Sequence, residues 1–315
     1  MLEIFVFLIS LLVISKLSEE CVKSAMKLAR ITKLGGLAIG FIFLSVLTSL
    51  PEAAISLDSI LLEHPNISLG NIFGSVVTNI CFILAIAALY NPLTLREESL
   101  QKILNMLVLT IAILFLFSTV PFSGRIISLI LLFVFLCYCF YLTKEKITFK
   151  KLTRYSFLEA ILRPIEIYKQ TFKLIFSSLS VFLFSLILIE ATGRLANKLG
   201  VHESILGATL IAIGSSLPEL STTFAALKKK EVSLALGNLI GSCLTDVSLV
   251  LGITMLARTL RLYEFFFLPF FALISSLSLW IFLVFTSRRR IDRAEASFLL
   301  ILFIIFLICL SLGLK

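Results

Sequence analysis

Ile103 to Phe117, Ile126 to Leu142, Phe265 to Phe285 and Phe298 to Leu312 are apolar blocks without a single charged residue. Each approaches the ~20 residues that a helix needs to cross a bilayer. Within hydrocarbon every backbone N–H and C=O must be satisfied inside the segment, so blocks of this kind fold as helices. Charged residues make up 15% of the 315-residue chain, against roughly 25% in soluble domains, which excludes an ordinary water-soluble globule. Apolar runs between polar breaks predict ten spans: 3–30, 36–61, 67–90, 100–119, 125–143, 173–197, 203–227, 232–257, 263–286 and 295–314. The expected fold is an all-α integral membrane protein. Its first span is the least apolar, interrupted by Lys16, Glu19, Glu20 and Lys23 at spacings that let opposite charges meet on one helix face.

The net charge of +9 admits an acidic partner such as nucleic acid, but the distribution of the cations gives another explanation. When connections are assigned alternately to the two sides, 22 of the 28 lysines and arginines fall on one side. Cytoplasmic connections carry that excess, so both termini face outward and the longest connection, 144–173, is cytoplasmic. The charge is an orientation signal, and no nucleic-acid partner is expected.

Other chemistries find little support. The cysteines form no C-x-x-C pair, and His64 and His202 lack a second ligand at metal-binding spacing. There is no G-x-S-x-G, so a membrane hydrolase is disfavoured and the chain is read as no enzyme, with no cofactor. An acid at Glu3 and the lack of a cleavage signature predict that the first helix is retained.

The sequence repeats itself. Thr48-Ser49-Leu50-Pro51-Glu52 recurs as Ser215-Ser216-Leu217-Pro218-Glu219, and the same offset carries Gly70-Asn71 onto Gly237-Asn238, Gly74-Ser75 onto Gly241-Ser242, Thr78 onto Thr245 and Asn79 onto Asp246. Five spans per copy is an odd number, so the second copy enters from the opposite face, giving two inverted five-helix repeats. The chain divides into a first repeat (1–143), a basic connection (144–173) and a second repeat (174–315).

Glu52 and Glu219 sit three and four residues after hydroxyls, on one helix face. Pro51 and Pro218 each remove an amide, so carbonyls near 47–48 and 214–215 are freed. Carboxylates, hydroxyls and loose carbonyls are hard oxygen ligands of the kind Ca2+ and Na+ take. Ser75 and Asn79, and Ser242 and Asp246, lie one turn apart on the following span, and Gly70, Gly74, Gly237 and Gly241 let that span approach a neighbour closely. An acid within a span costs about 2.5 to 3.5 kcal/mol on insertion scales, which favours a functional role for the duplicated pair. Glu190 is expected to pair with Arg194, and Asp58 with Glu63 to end a span near the outer surface.

Segments 35–90 and 202–257 resemble the alpha-repeats of the cation/Ca2+ exchanger superfamily, and most closely prokaryotic Na+/Ca2+ exchangers. G-x-x-x-x-x-x-G-[ST]-S-L-P-E followed by G-N-x-x-G-S-x-x-x-[ND] carries the resemblance. It implies that Glu52 and Glu219 hold Ca2+ with the carbonyls of Thr48 and Ser215, and that Na+ shares these carboxylates. Flanking Na+ positions would draw on Ser49 and Ser75, and on Ala212, Ser216 and Ser242, with Asn79 and a protonated Asp246 in the middle. Leu47 departs from the pattern, standing where the second copy has Gly214, and Ser45 stands opposite Ala212. The implied function is Na+/Ca2+ antiport by alternating access in the cell membrane, with Ca2+, Na+ and the bilayer as partners and no obligate protein partner. The first span and its counterpart at 173–197 would slide across the core. H+/Ca2+ exchange is the alternative, disfavoured because Gly-Ser replaces the glutamate such relatives carry after Gly-Asn; a cation channel is more remote.

Overall fold

The computed structural model describes residues 2–32, 45–95, 98–120, 123–144, 157–228, 230–258, 260, 262–286 and 289–313. The start of the first motif, residues 35–44, and the first half of the central connection lie outside them. The described chain is helical apart from two short strands. Helix α1 is Leu2–Thr32, a helical turn at 45–48 leads into α2, Leu50–Leu61, and α3 is Pro65–Tyr90. After strand β1, Leu93–Thr94, come α4, Glu98–Thr119, α5, Gly124–Lys144, and α6, Phe157–Leu199. The second half continues with α7, Glu203–Lys228, α8, Val232–Ala257, and α9, Phe267–Phe285, then β2, Arg290–Ile291, and α10, Arg293–Ser311.

Eight of these, α3 to α10, are long and apolar enough to cross a membrane. α1 has the length, at 31 residues, but carries the charges noted above, and α2, at 12 residues, is shorter than a full span. α6 begins at Phe157, well before the span expected from 173. Hydropathy reports where the bilayer ends, not where helical hydrogen bonding ends, and polar turns such as Glu166–Gln170, joined at 2.6 Å, extend a helix into water.

The repeat is visible in the backbone well beyond the sequence motif. α2 and α7 both end on a residue in the left-handed region, Glu63 (φ 63°) and Lys230 (φ 62°). Both ends are closed by the same pair of bonds: His64 N–H to Ser59 O (2.7 Å) and Glu63 N–H to Ile60 O (3.3 Å), and Glu231 N–H to Ala226 O (3.0 Å) and Lys230 N–H to Leu227 O (2.9 Å). This is a Schellman closure built without glycine. α3 and α8 each pass through a π-helical stretch, Thr78–Ile83 and Asp246–Val250.

Contacts at the helix ends establish the inversion. Lys198, at the end of α6, bonds Glu3 at the start of α1 (2.7 Å), so these counterparts run antiparallel. His64, just past α2, meets Glu203 at the start of α7 (2.6 Å), so that pair does too. β1, after α3, pairs antiparallel with β2, before α10, in the register Leu93 with Ile291. Every one of these links joins connections that the charge count assigns to the same side.

Packing divides the molecule into two parts. One large cluster unites residues of α3 to α5 and α7 to α10. A second joins Phe7 and Ile14 of α1 with Val181, Leu188 and Ile189 of α6 and with Ala54 and Ile55 of α2. α1 lies along α6, and this pair forms a unit seated across the core. α3 and α8 are the most deeply buried, whereas α5 turns Leu129, Phe133 and Leu136 outward, as a lipid-facing helix does.

Glycine sets the central crossing. A Cβ on Gly70 would lie 2.3 Å from the carbonyl oxygen of Ser204, and one on Gly74 2.5 Å from Cα of Ala208. α3 therefore meets α7 backbone to backbone, as the small-residue spacing predicts. Gly74→Val is expected to destabilise the protein by about 1 to 3 kcal/mol or more, because the obstruction is backbone that cannot turn aside. Gly252→Ala, whose Cβ would meet side-chain atoms of Leu132 at 3.0 Å and of Leu131 at 3.4 Å, should cost less. Thermal unfolding in detergent checks the order, and equal stability of the two variants would contradict the crossing.

Candidate cation site between the repeats

The helix is interrupted at the same point in both copies. Ser49 (φ −78°, ψ 9°) and Ser216 (φ −83°, ψ 7°) leave helical geometry just before the prolines. Helical bonding resumes with Ala53 N–H on Ser49 O (3.0 Å) and Leu220 N–H on Ser216 O (3.1 Å), passing over the carbonyls of Thr48 and Ser215. Proline has no N–H to give and its ring displaces the preceding turn, so two carbonyls per repeat are left to other partners. The hydroxyls just before the break turn backward alike: Thr48 Oγ1–H donates to Ser45 O (3.2 Å) and Ser215 Oγ–H to Ala212 O (3.3 Å).

Four helices close around these breaks. Asn71, on α3, donates to the carbonyl of Glu52 and to Ser56 Oγ (both 3.4 Å) and accepts from Ser215 Oγ (3.2 Å), tying α3 to α2 and α7. Its counterpart Asn238, on α8, donates to Thr222 Oγ1 (2.8 Å) and Thr223 Oγ1 (3.4 Å). Thr48 and Ser242 share a 2.7 Å hydroxyl contact across the two repeats. The asparagines recur in both copies, but no role follows from the sequence pattern; the paired Gly-Asn was the signal that held it. The π-helical stretches were likewise invisible in sequence. They begin at or beside Asn79 and Asp246, and such bulges widen a helix where side chains are needed.

Every expected residue except Ala212 is a buried polar side chain here: Thr48, Ser49, Glu52, Ser75, Asn79, Ser215, Ser216, Glu219, Ser242 and Asp246. Ala212 is buried too, but its carbonyl is occupied by Ser216 N–H (3.1 Å) and Ser215 Oγ, so it is not open to an ion in this conformation. Glu52 and Asp246 both lie within electrostatic reach of Glu219.

The two halves are not equivalent. Ser75 and Ser216 reach Glu52 Oε1 at 3.5 Å, the outer limit of a hydrogen bond. Both oxygens of Glu219, both of Asp246, Oε2 of Glu52, Oγ of Ser49 and both amide atoms of Asn79 have no partner. Buried polar atoms are almost always satisfied, so this concentration marks a place built for something that supplies positive charge. Among the described residues no three acids, histidines or cysteines close on one point.

A crevice of about 490 Å3 leads toward this region from the side of the strand pair. It lies between α1, α3 and α7, lined by Ser15, Glu19, Phe82, Leu217, Ser221 and Phe224. One sequence expectation is modified elsewhere. The span does end where Asp58 and Glu63 place it, α2 stopping at Leu61, but Asp58 itself is completely buried against Ser185 of α6. His64 is engaged by Glu203, and Glu190 pairs with Arg194 at 2.5 Å as expected.

Antiparallel counterpart helices, mirrored breaks and buried oxygens converging between the copies define a multi-pass membrane transporter. The sequence profile of the sodium/calcium exchanger protein family matches residues 2–144 and 169–312, one stretch in each half, and the chain belongs to that family. It is a cation/Ca2+ antiporter of the cell membrane. The sodium/calcium exchanger MaX1 of Methanosarcina acetivorans is 24% identical, with 97% of each chain covered. The inner membrane protein YrbG of Escherichia coli is 29% identical over 79% of this chain and 78% of its own. Solved structures of the sodium-calcium exchanger NCX_Mj, soaked with Na+ or Sr2+, superpose with a TM-score of 0.68 at 25% identity, covering 98% of both chains.

A ligand that binds the folded state stabilises it by mass action. Ca2+ at saturating concentration should raise the melting temperature of the protein in detergent, and Glu219→Gln should abolish most of that rise. Ser49→Ala, removing one neutral oxygen, should reduce it only partly. An undiminished Ca2+ shift in Glu219→Gln would remove this residue from the site.

Proposed function

We propose that the chain exchanges Na+ for Ca2+, the two ions competing for Glu52 and Glu219. The observation that carries this reading is the set of unpartnered buried oxygens contributed by counterpart positions of both repeats. In it Ca2+ takes the two glutamates and the freed carbonyls of Thr48 and Ser215. Na+ ions take the same carboxylates, with Ser49 and Ser75 on one flank and Ser216 and Ser242 on the other. Asn79 and a protonated Asp246 line the middle, since a third adjacent carboxylate is strongly disfavoured as an anion. Ala212 enters only if its carbonyl is released when the helices shift.

Competition produces coupling. When one ion set leaves, the carboxylates are uncompensated in a low-dielectric interior, and that state is too costly to cross between faces empty. Access switches as α1 and α6, packed on each other more than on the core, slide over α2 and α7. The crevice along α1 and α7 is the inner route in this picture.

The mention of Na+ and Ca2+ in the names of relatives supports this choice of ions, and the Gly-Ser that follows Gly-Asn in both copies disfavours H+. Ca2+ uptake into proteoliposomes under separately imposed Na+, K+ and H+ gradients tests it. A Na+ gradient is expected to drive uptake and Glu219→Gln to eliminate it. Uptake driven by a pH gradient alone would overturn the choice of coupling ion, and persistence in Glu219→Gln would overturn the assignment of the carboxylates.

A further inference from the structure

Asp58 is an acid that the exchange site does not use. It lies on α2 nearly two turns beyond Glu52, completely buried, and its counterpart in the second repeat is Ala225. The neighbouring Ser59 and the buried Ser68 of α3 likewise face Ala226 and Ala235 in the repeat register. At these three positions the outer half of the first repeat carries polarity that the inner half of the second does not.

Hydrogen-bond accounting favours a neutral Asp58. Ser185 Oγ, on α6, contacts both the carbonyl of Phe182 (2.7 Å) and Asp58 Oδ2. A serine has one hydroxyl proton, and a carbonyl can only accept. The hydroxyl faces two acceptors, Asp58 Oδ2 and the Phe182 carbonyl, and a neutral Asp58, which can itself donate to Ser185 Oγ, lets both contacts be hydrogen bonds at once. Oδ1 has no partner at all, a state far less costly for a neutral acid than for an anion.

Among the described residues no cation stands by to hold an anion there. α3 carries no charged residue. At the outer end of α6, Arg194 is taken by Glu190 and Lys198 by Glu3, while Glu166, Lys169 and Lys173 sit at the opposite end. Beyond Glu3, the charges of α1 begin at Lys16. α7 and α8 present Glu219 and Asp246 at the central site, Arg258 caps the outer end of α8 without a charge contact to Asp58, and His64, beside Glu63 past the end of α2, is engaged by Glu203. Ala54, Ile55, Val181 and Leu188 belong to the apolar cluster that seals α6 on α2.

We propose that Asp58 is a proton-binding site in the outer seal, protonated while α6 rests on α2 and releasing its proton to the outer solution when α6 moves away. External protons then favour the outwardly closed form, because a ligand shifts an equilibrium toward the state that binds it better. Exchange is thereby braked by external acid through a residue separate from the ions' own carboxylates. The inference rests on the proposed sliding of α6, so its test reads that movement without any ion flux.

Ala54→Cys in a cysteine-free background, reconstituted in vesicles, reports uncovering of the α2–α6 face to an impermeant maleimide added outside. Rates are compared with Asp58→Asn at each pH, so that the chemistry of the thiol cancels. With Asp58 present, the normalised rate is expected to fall about fivefold between external pH ~8 and ~5. Asp58→Asn, which donates to Ser185 at every pH, should be slow throughout, and Ser185→Ala should be fast and nearly flat. Identical profiles with aspartate and asparagine would overturn the proposal. So would complete protection of the introduced thiol at every pH in vesicles that still exchange, since opening would then not separate α2 from α6. Loss of Na+/Ca2+ exchange with the labelling pattern intact would instead count against the exchange reading alone.

Discussion

A carboxylate in the middle of a bilayer is tolerable only if something compensates its charge, and that requirement organises this molecule. Glu52 and Glu219 are completely buried, and among the described residues no lysine or arginine is bonded to either. Compensation is left to whatever ion occupies the space between them. The helices that carry them are broken at Ser49 and Ser216, which supplies carbonyl oxygens, and crossed by α3 at Gly70 and Gly74, which brings the second helix of one repeat against the third of the other. The break needs proline and the crossing needs glycine. Both are backbone devices, because in hydrocarbon only a local fault in the helix can free a main-chain oxygen without exposing it to lipid.

The same constraint explains why the two repeats are alike where they meet and differ farther out. At the centre, each position has a counterpart that approaches the ion from the opposite side, so departures are few. Asn for Asp at position 79 removes one of four acids that would otherwise crowd together, where mutual repulsion would be severe. Away from the centre the copies face different sides of the membrane and have separate tasks. The outer contact of α6 with α2 is sealed by Val181, Leu188, Ala54 and Ile55, and the mirrored contact of α1 with α7 holds the crevice. One sequence repeated in opposite directions thus yields a structure asymmetric with respect to the membrane.

Much of this was legible in the residues. Apolar blocks predict helices because hydrocarbon permits little else, and the gapless offset between Thr48–Asn79 and Ser215–Asp246 predicts two copies. Less legible was anything that depends on where a helix stops for reasons other than polarity, hence the early start of α6 at Phe157. Asp58 reads in sequence as a span terminator because an acid near a predicted boundary usually is one. Only the packing of α6 places Ser185 beside it and closes water out.

By itself the sequence determined the class of the protein, its helical and duplicated architecture, its orientation signals and the identity of the duplicated oxygens, since all of these follow from composition, period and register along one chain. Which oxygens are free and which are taken was decided by the tertiary structure. Glu219 is wholly unpartnered while Glu52 is loosely held by Ser75 and Ser216, and the Ala212 carbonyl is occupied rather than open. Those differences arise between residues more than a hundred positions apart, where a few tenths of an ångström in helix crossing separate a hydrogen bond from a vacant lone pair, and no spacing along a single strand of sequence encodes that distance.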